Sequence, residues 1–79
     1  MEEKMTIRVM GNWIVQQWND GVIHMTSMRN VIQYVVVPLD TEIEELCRIS
    51  LTMADGSSKT IYDVPLGITN LIMERLAEL

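Results

Sequence analysis

Few residues of this 79-residue chain could carry out chemistry, and they form no recognisable site. His24 is the only histidine and Cys47 the only cysteine, so a nucleophile and base pair can be imagined, but no local signature supports it. His24 lies within the strand-like segment 22–26, where we expect a partly exposed packing residue. Cys47 begins an alternating apolar pattern, which is typical of a buried and unreactive thiol.

The carboxylates do not suggest a catalytic or metal-binding constellation either. Most of the candidates fall in turn-like stretches, where aspartate usually accepts hydrogen bonds from backbone amides; they are Asp20, Asp40, Glu42, Glu44, Glu45, Asp55 and Asp63. Calcium-loop spacing, a glycine-rich phosphate loop and a G-x-S-x-G elbow are all missing from the sequence. We therefore expect a protein that is not an enzyme and that uses no cofactor and no metal ion.

Length and charge narrow the class of protein further. A chain of this length makes one domain, residues 1–79, and buries only about 60% of the surface that it exposes when unfolded. A single cysteine excludes an intrachain disulfide, so self-association is the remaining way to stabilise a small core. The net charge of −5 and the scattered basic residues argue against nucleic acid as a partner, and favour, if anything, a protein with a basic surface.

The sequence also predicts where the protein is found. Residues 1–5 lack the basic start and apolar run of a signal peptide. No apolar stretch approaches the ~20 residues of a membrane span. Together with the low cysteine content, these features predict a soluble protein of the reducing cytoplasm that does not bind membranes.

Turn residues divide the chain into strand-like segments and one helix. The segments are 6–10, 13–18, 22–26, 31–37, 46–53 and 59–64. The helix, 66–79, carries an apolar stripe that consists of Ile68, Leu71, Ile72, Leu76 and Leu79. We predict an α+β fold in which a mostly antiparallel sheet of five or six strands has this C-terminal amphipathic helix packed on one face.

Two details of this fold stay open at the level of sequence. Residues 40–46 fit a helical turn, since Thr41 and Glu44 have the spacing of a capping box, and fit an acidic loop equally well. In the hairpin 47–64, either Ile61 or the alternate set of Thr60, Tyr62 and Val64 could face the core.

The segment 31–37 is apolar at nearly every position, so as a strand it presents apolar side chains on both faces of its sheet. One helix covers about one face. The other face requires a partner, most simply a second copy of the chain. We therefore expect a homodimer or higher oligomer with Val31, Val35 and Val37 in its interface.

The two tryptophans suggest a binding surface. Trp13 and Trp18 lie five residues apart in one strand and so point to opposite faces. We expect Trp13 in the core and Trp18, next to a turn, as an interface anchor. The residues expected to contact a partner or ligand are Trp18, Gln16, Gln17, Tyr34 and Arg29.

Two functions follow from these features. The first is a non-enzymatic protein-interaction module, for example a small regulator or inhibitor of the kind that phages and mobile elements encode, acting on a larger protein through an acidic, tryptophan-bearing surface. The second is a protein that binds a metabolite or nucleotide in pockets between its subunits.

Overall fold

In the computed structural model, residues 4–39 and 45–79 are described, and they form six strands and one α-helix. The strands are β1 (Met5–Met10), β2 (Trp13–Trp18), β3 (Ile23–Ser27), β4 (Val31–Leu39), β5 (Leu46–Met53) and β6 (Ser58–Pro65). The helix, α1, spans Leu66–Glu78. The predicted α+β class is confirmed. The two alternatives for residues 40–46 fall almost wholly outside the described residues.

The strands form two sheets, whereas the sequence predicted one. The first sheet has the order β1-β2-β3 and the second the order β4-β5-β6, all antiparallel. A single 3₁₀ turn, Met28–Asn30, joins them. Met28 is buried in this turn, and its N–H donates to the carbonyl of Asn12 at 2.8 Å. Strand β4 begins the second sheet directly after this turn.

The core lies between the inner faces of the two sheets and α1. It contains side chains from β2, the 3₁₀ turn, β5, β6 and α1, namely Ile14, Met28, Ile49, Leu51, Ile61, Val64 and Ile72. Strand β1 adds an alternating set of half-buried residues, Met5, Ile7 and Val9, to the same core. Since α1 contacts β1, β5 and β6, the helix bridges both sheets.

The predicted apolar stripe of the helix is only partly the buried face. Ile72 is completely buried, and Ile68 and Leu76 pack against the core. Leu71 and Leu79 are exposed. Thr69 is buried in their place because its hydroxyl donates to the carbonyl of Pro65 at 3.1 Å, which satisfies the polar group within the first turn. The buried face of the helix is therefore rotated from the predicted stripe.

A bulge in β6 answers the open question of hairpin register. The pairing of β5 with β6 shifts between Cys47, opposite Val64, and Ile49, opposite Ile61. The extra residue is accommodated at Asp63, whose φ is +57°. Both Ile61 and Val64 therefore face the core, a combination that neither regular alternation allows.

Candidate interaction surfaces

The outer face of the first sheet is a grid of nine side chains that we call the tryptophan face. In the register of this sheet, each residue of β2 that points outward lies beside one outward-pointing residue of β1 and one of β3. The three rows across the sheet are Thr6, Gln17 and Ile23; then Arg8, Val15 and Met25; then Met10, Trp13 and Ser27. Five of the nine residues are apolar, and α1 lies on the other side of this sheet.

The apolar side chains of the tryptophan face are open to solvent. Trp13 is 44% exposed, and Met10, Ile23 and Met25 are each exposed by about half. Val15, at the centre of the grid, is only 3% exposed because its neighbours surround it. The face contains one charged residue, Arg8, and no carboxylate. Tryptophan, methionine and arginine are residue types that are enriched in protein interfaces.

The structure contradicts one of the two expectations for the tryptophans. Trp13 points outward, so its assignment to the core is wrong. Trp18 is half-buried on the inner side, where it pairs in register with Met5. Its ring meets that of His24 edge to face, with centroids 5.4 Å apart. The sequence signal for the position of Trp18 was the alternation of apolar residues in β1, because the register of the hairpin places Trp18 on the same face as Met5.

The residues expected to contact a partner do not form one surface. Gln16 is buried on the inner side, where its Nε2 donates to the sulfur of Met5 at 3.2 Å and its Oε1 has no hydrogen-bond partner in the described part of the chain. Gln17 points to the opposite side. Gln17 and Trp18 do share a shallow cleft of about 280 Å³ at the end of the sheet.

The other two predicted contact residues lie elsewhere. Arg29 is exposed in the 3₁₀ turn, where its Nε and Nη2 donate to the side-chain amide oxygen of Asn12 at 3.1 and 3.2 Å. Tyr34 is exposed on β4, in the second sheet. Arg29 and Tyr34 therefore do not line the cleft that holds Gln17 and Trp18.

The outer face of the second sheet is a second open surface, which we call the valine face. Strand β4 contributes Gln33, Val35, Val37 and Leu39, and β5 contributes Leu46, Arg48, Ser50 and Thr52. Val35 is 51% exposed, and Val37 is half-buried. Arg48 is also half-buried, and its Nε has no hydrogen-bond partner among residues 4–39 and 45–79.

Val31 does not belong to the valine face. The pairing of β4 with β5 shifts between Val31, opposite Met53, and Gln33, opposite Thr52, so Ile32 is an extra residue in β4. This bulge reverses the alternation of the strand. Val31 then packs against the core. The expectation that Val31 shares a face with Val35 and Val37 is therefore wrong.

Of the residues that could carry out chemistry, Asp40, Glu42 and Glu44 lie outside the described residues, and the others lie in different elements. Cys47 is buried on the inner face of β5, and His24 is exposed on β3, in the other sheet. In the β5–β6 turn, Asp55 accepts hydrogen bonds from the N–H and hydroxyl of Ser57 at 2.9 and 2.6 Å, and these bonds lower the pKa of its carboxyl. Asp55 therefore holds the turn together.

Lys59 connects the two sheets at their edges. Its Nζ, on β6, donates to the hydroxyl of Thr26, on β3, at 2.6 Å. Partial burial lowers the pKa of this ammonium group. The contact is a direct side-chain link between β3 of the first sheet and β6 of the second.

Within the described ranges, no group of three or more His, Cys, Asp or Glu side chains could hold a metal ion. No helix there has the length and apolar character needed to span a membrane. Comparison of the chain with protein-family models, with curated proteins and with solved structures finds no match. The tryptophan face and the valine face are the features to which a function can be assigned.

Proposed function

We propose that this protein is a non-enzymatic interaction module that associates with itself and binds a larger protein through the tryptophan face. The observation that carries the proposal is the exposure of Trp13, Met10, Ile23 and Met25 on one three-stranded face. Large apolar side chains scattered singly need no explanation, but a contiguous set around a buried centre is typical of a binding site.

The shape of the tryptophan face favours a protein as its partner. Three adjacent strands present a broad surface instead of an enclosed pocket, whereas small-molecule sites are concave and bury most of their ligand. Methionine side chains adapt to the contour of an apolar partner, and tryptophan supplies a large rigid contact area. With Arg8 as its single charge, the face lacks the basic cluster that a nucleic acid requires.

The acidic charge of the chain lies outside the tryptophan face, which modifies the expectation of one acidic, tryptophan-bearing surface. The described carboxylates are in turns, at the bulge of β6 and on the helix: Asp20, Glu45, Asp55, Asp63, Glu74 and Glu78. Asp20, in the turn between β2 and β3, is at the rim of the face. We propose that an apolar patch of the partner covers Trp13 and that a basic residue beside that patch meets Asp20 at the rim.

Replacing Trp13 with alanine is expected to weaken partner binding by about 2 kcal/mol, or roughly thirtyfold in Kd, because the largest exposed contact of the face is removed. The variant should keep its circular dichroism spectrum, since Trp13 is outside the core. The measurement is quantitative affinity capture from the source cells with wild-type and variant bait, followed by titration of the captured protein.

The matched control is Tyr62→Ala, which removes an exposed aromatic side chain from the second sheet. A partner that Trp13→Ala loses and Tyr62→Ala retains would support the proposal. Equal capture by both variants would exclude the tryptophan face as the binding site.

Self-association is the second part of the proposal, and it is supported by the exposed Val35 and the half-buried Val37 on the valine face. Light scattering at micromolar concentration is expected to give a mass at least twice the 9.1 kDa of one chain. A mass of one chain at every concentration up to the millimolar range would contradict it.

A further inference from the structure

Each sheet has two edge strands, and three of these four edges are protected against pairing with another chain. Arg8 lies in the middle of β1. Strand β3 is the shortest strand, and the hydroxyl of its Thr26 accepts a hydrogen bond from Lys59 of the other sheet. Strand β6 carries Lys59 and the bulge at Asp63. Charges, bulges and short length are the usual protections of an edge.

None of the residues 4–39 and 45–79 protects the edge of β4 over its centre. The strand has nine residues and no charged side chain. Its backbone hydrogen-bond partners in the described residues lie on one side only, in β5. Two irregularities limit the free stretch, the bulge at Ile32 and Pro38. Between them, residues 33–37 have high β-propensity and contain no glycine or proline.

We propose that the partner of this edge is the β4 strand of a second copy of the chain, which pairs with it antiparallel about a two-fold axis at Val35. The proposal rests on the self-association proposed above and specifies its contact as an edge: Val35 of the two copies lie side by side, and the two valine faces become one continuous surface. The second sheet of one copy then joins the second sheet of the other into one sheet of six strands. The contact is isologous, so the assembly stops at a dimer.

The position of the axis follows from the two irregularities. In an antiparallel pair related by a two-fold axis at Val35, Ile32 of one copy lies opposite Pro38 of the other. The bulge and the proline therefore fall together, at both ends of the ladder. With the axis at either neighbouring residue, Tyr34 or Val36, a bulge or a proline would lie opposite a regular strand residue and remove a hydrogen bond there.

The hydrogen bonds of this register use free backbone groups. A proline within an edge strand is tolerated when its nitrogen faces away from the neighbouring strand. In β4 this means that the nitrogen of Pro38 faces the free edge. Alternate residues of a strand share this direction, so the N–H groups of Tyr34 and Val36 also point to the free edge. The axis at Val35 places Tyr34 of one copy opposite Val36 of the other, so the two residues exchange backbone hydrogen bonds.

A charge introduced at the axis tests this register, because residue 35 of one copy lies opposite residue 35 of the other. Both Val35→Lys and Val35→Glu place like charges opposite each other and are expected to raise the dimer dissociation constant by about tenfold or more. An equimolar mixture of the two variants should form a heterodimer, since Lys then faces Glu. Sedimentation velocity measures the monomer–dimer equilibrium of each variant and of the mixture.

The matched control is Thr60→Lys, on the same face and in the same cross-strand row but on β6, at the other edge of the sheet. It should leave the dimer intact. If Thr60→Lys dissociates the dimer as Val35→Lys does, the two copies pack face to face and edge pairing is overturned. If the wild-type protein dimerises and the Val35 variants dimerise equally well, edge pairing fails while self-association stands. A monomeric wild-type protein overturns both.

A covalent test covers the case in which a charged variant does not fold. In a non-hydrogen-bonded pair the two Cα atoms are about 4.5 Å apart, which is compatible with a disulfide. Val35→Cys is therefore expected to give a disulfide-linked dimer under mild oxidation, and Thr60→Cys is not. Failure of Val35→Cys to cross-link in a folded dimer would exclude the axis at this residue.

Discussion

Replacing Ile72 with aspartate is expected to unfold the protein, and this is the largest effect that we predict for a single substitution. Ile72 is fully buried where α1 meets both sheets. A carboxylate at this position would lose its hydration without gaining a partner, at a cost of several kcal/mol. A chain of this size has a total stability of about 4–12 kcal/mol, at roughly 0.05–0.15 kcal/mol per residue.

The matched control is the same substitution one residue earlier, Leu71→Asp. Leu71 is exposed on the adjacent side of the helix, so its aspartate variant should lose less than about 1 kcal/mol, mainly through lower helix propensity. Thermal melting followed by circular dichroism at one protein concentration compares the two. If both variants melted alike, the orientation of α1 described above would be wrong.

Truncation of Met28 to alanine is expected to cost about 2–5 kcal/mol, which is the second largest effect. Met28 is 1% exposed and fills the space between the two sheets at the point where the chain passes from one to the other. Its loss leaves a cavity that both sheets border. For a domain of this size, each kcal/mol corresponds to about 4–8 °C in Tm.

Met25→Ala is the control for Met28→Ala, because the same atoms are removed from a residue that is 53% exposed. It should melt within a few degrees of the wild type. Met25 belongs to the tryptophan face, so this variant should instead weaken partner binding, as Trp13→Ala does. Equal destabilisation by the two methionine substitutions would mean that Met28 is not a core residue.

The sequence was sufficient to locate the strands and the helix, for a simple physical reason. Turns that contain Gly11, Gly21 and Gly56 have positive φ at the glycine, and these residues separated the apolar segments clearly. Predicted segments 13–18 and 46–53 coincide with β2 and β5. The predicted helix 66–79 differs from α1 by one residue.

The faces of the strands were harder to predict than their positions. One inserted residue reverses the alternation of a strand, and the bulges at Ile32 and Asp63 leave no clear signal in the sequence. They explain why Val31 turned inward and why Ile61 and Val64 both reach the core. The division into two sheets involves contacts in the core between residues far apart in the sequence, which local patterns do not encode.

The sequence predicted that an apolar sheet face would be open, but it did not predict all the residues of the two open faces. The apolar character of 31–37 indicated an uncovered sheet face, and Val35 and Val37 do lie on one. The second open face was missed because Met10, Ile23 and Met25 are far apart in sequence and meet only through the register of β1, β2 and β3. The assignment of Trp13 to the core failed because it considered β2 without its neighbour β1.

The order of strands in the two sheets has a consequence for how the chain folds. Each strand pairs only with its neighbours along the chain, so every hairpin closes a short loop and can form within about 1–10 μs. The packing of the two sheets and α1 against one another remains, and in it the contact of α1 with β1 joins elements from opposite ends of residues 5–78. We expect this docking to limit the folding rate, and expect substitutions on the buried side of α1 to slow folding more than substitutions in any hairpin turn.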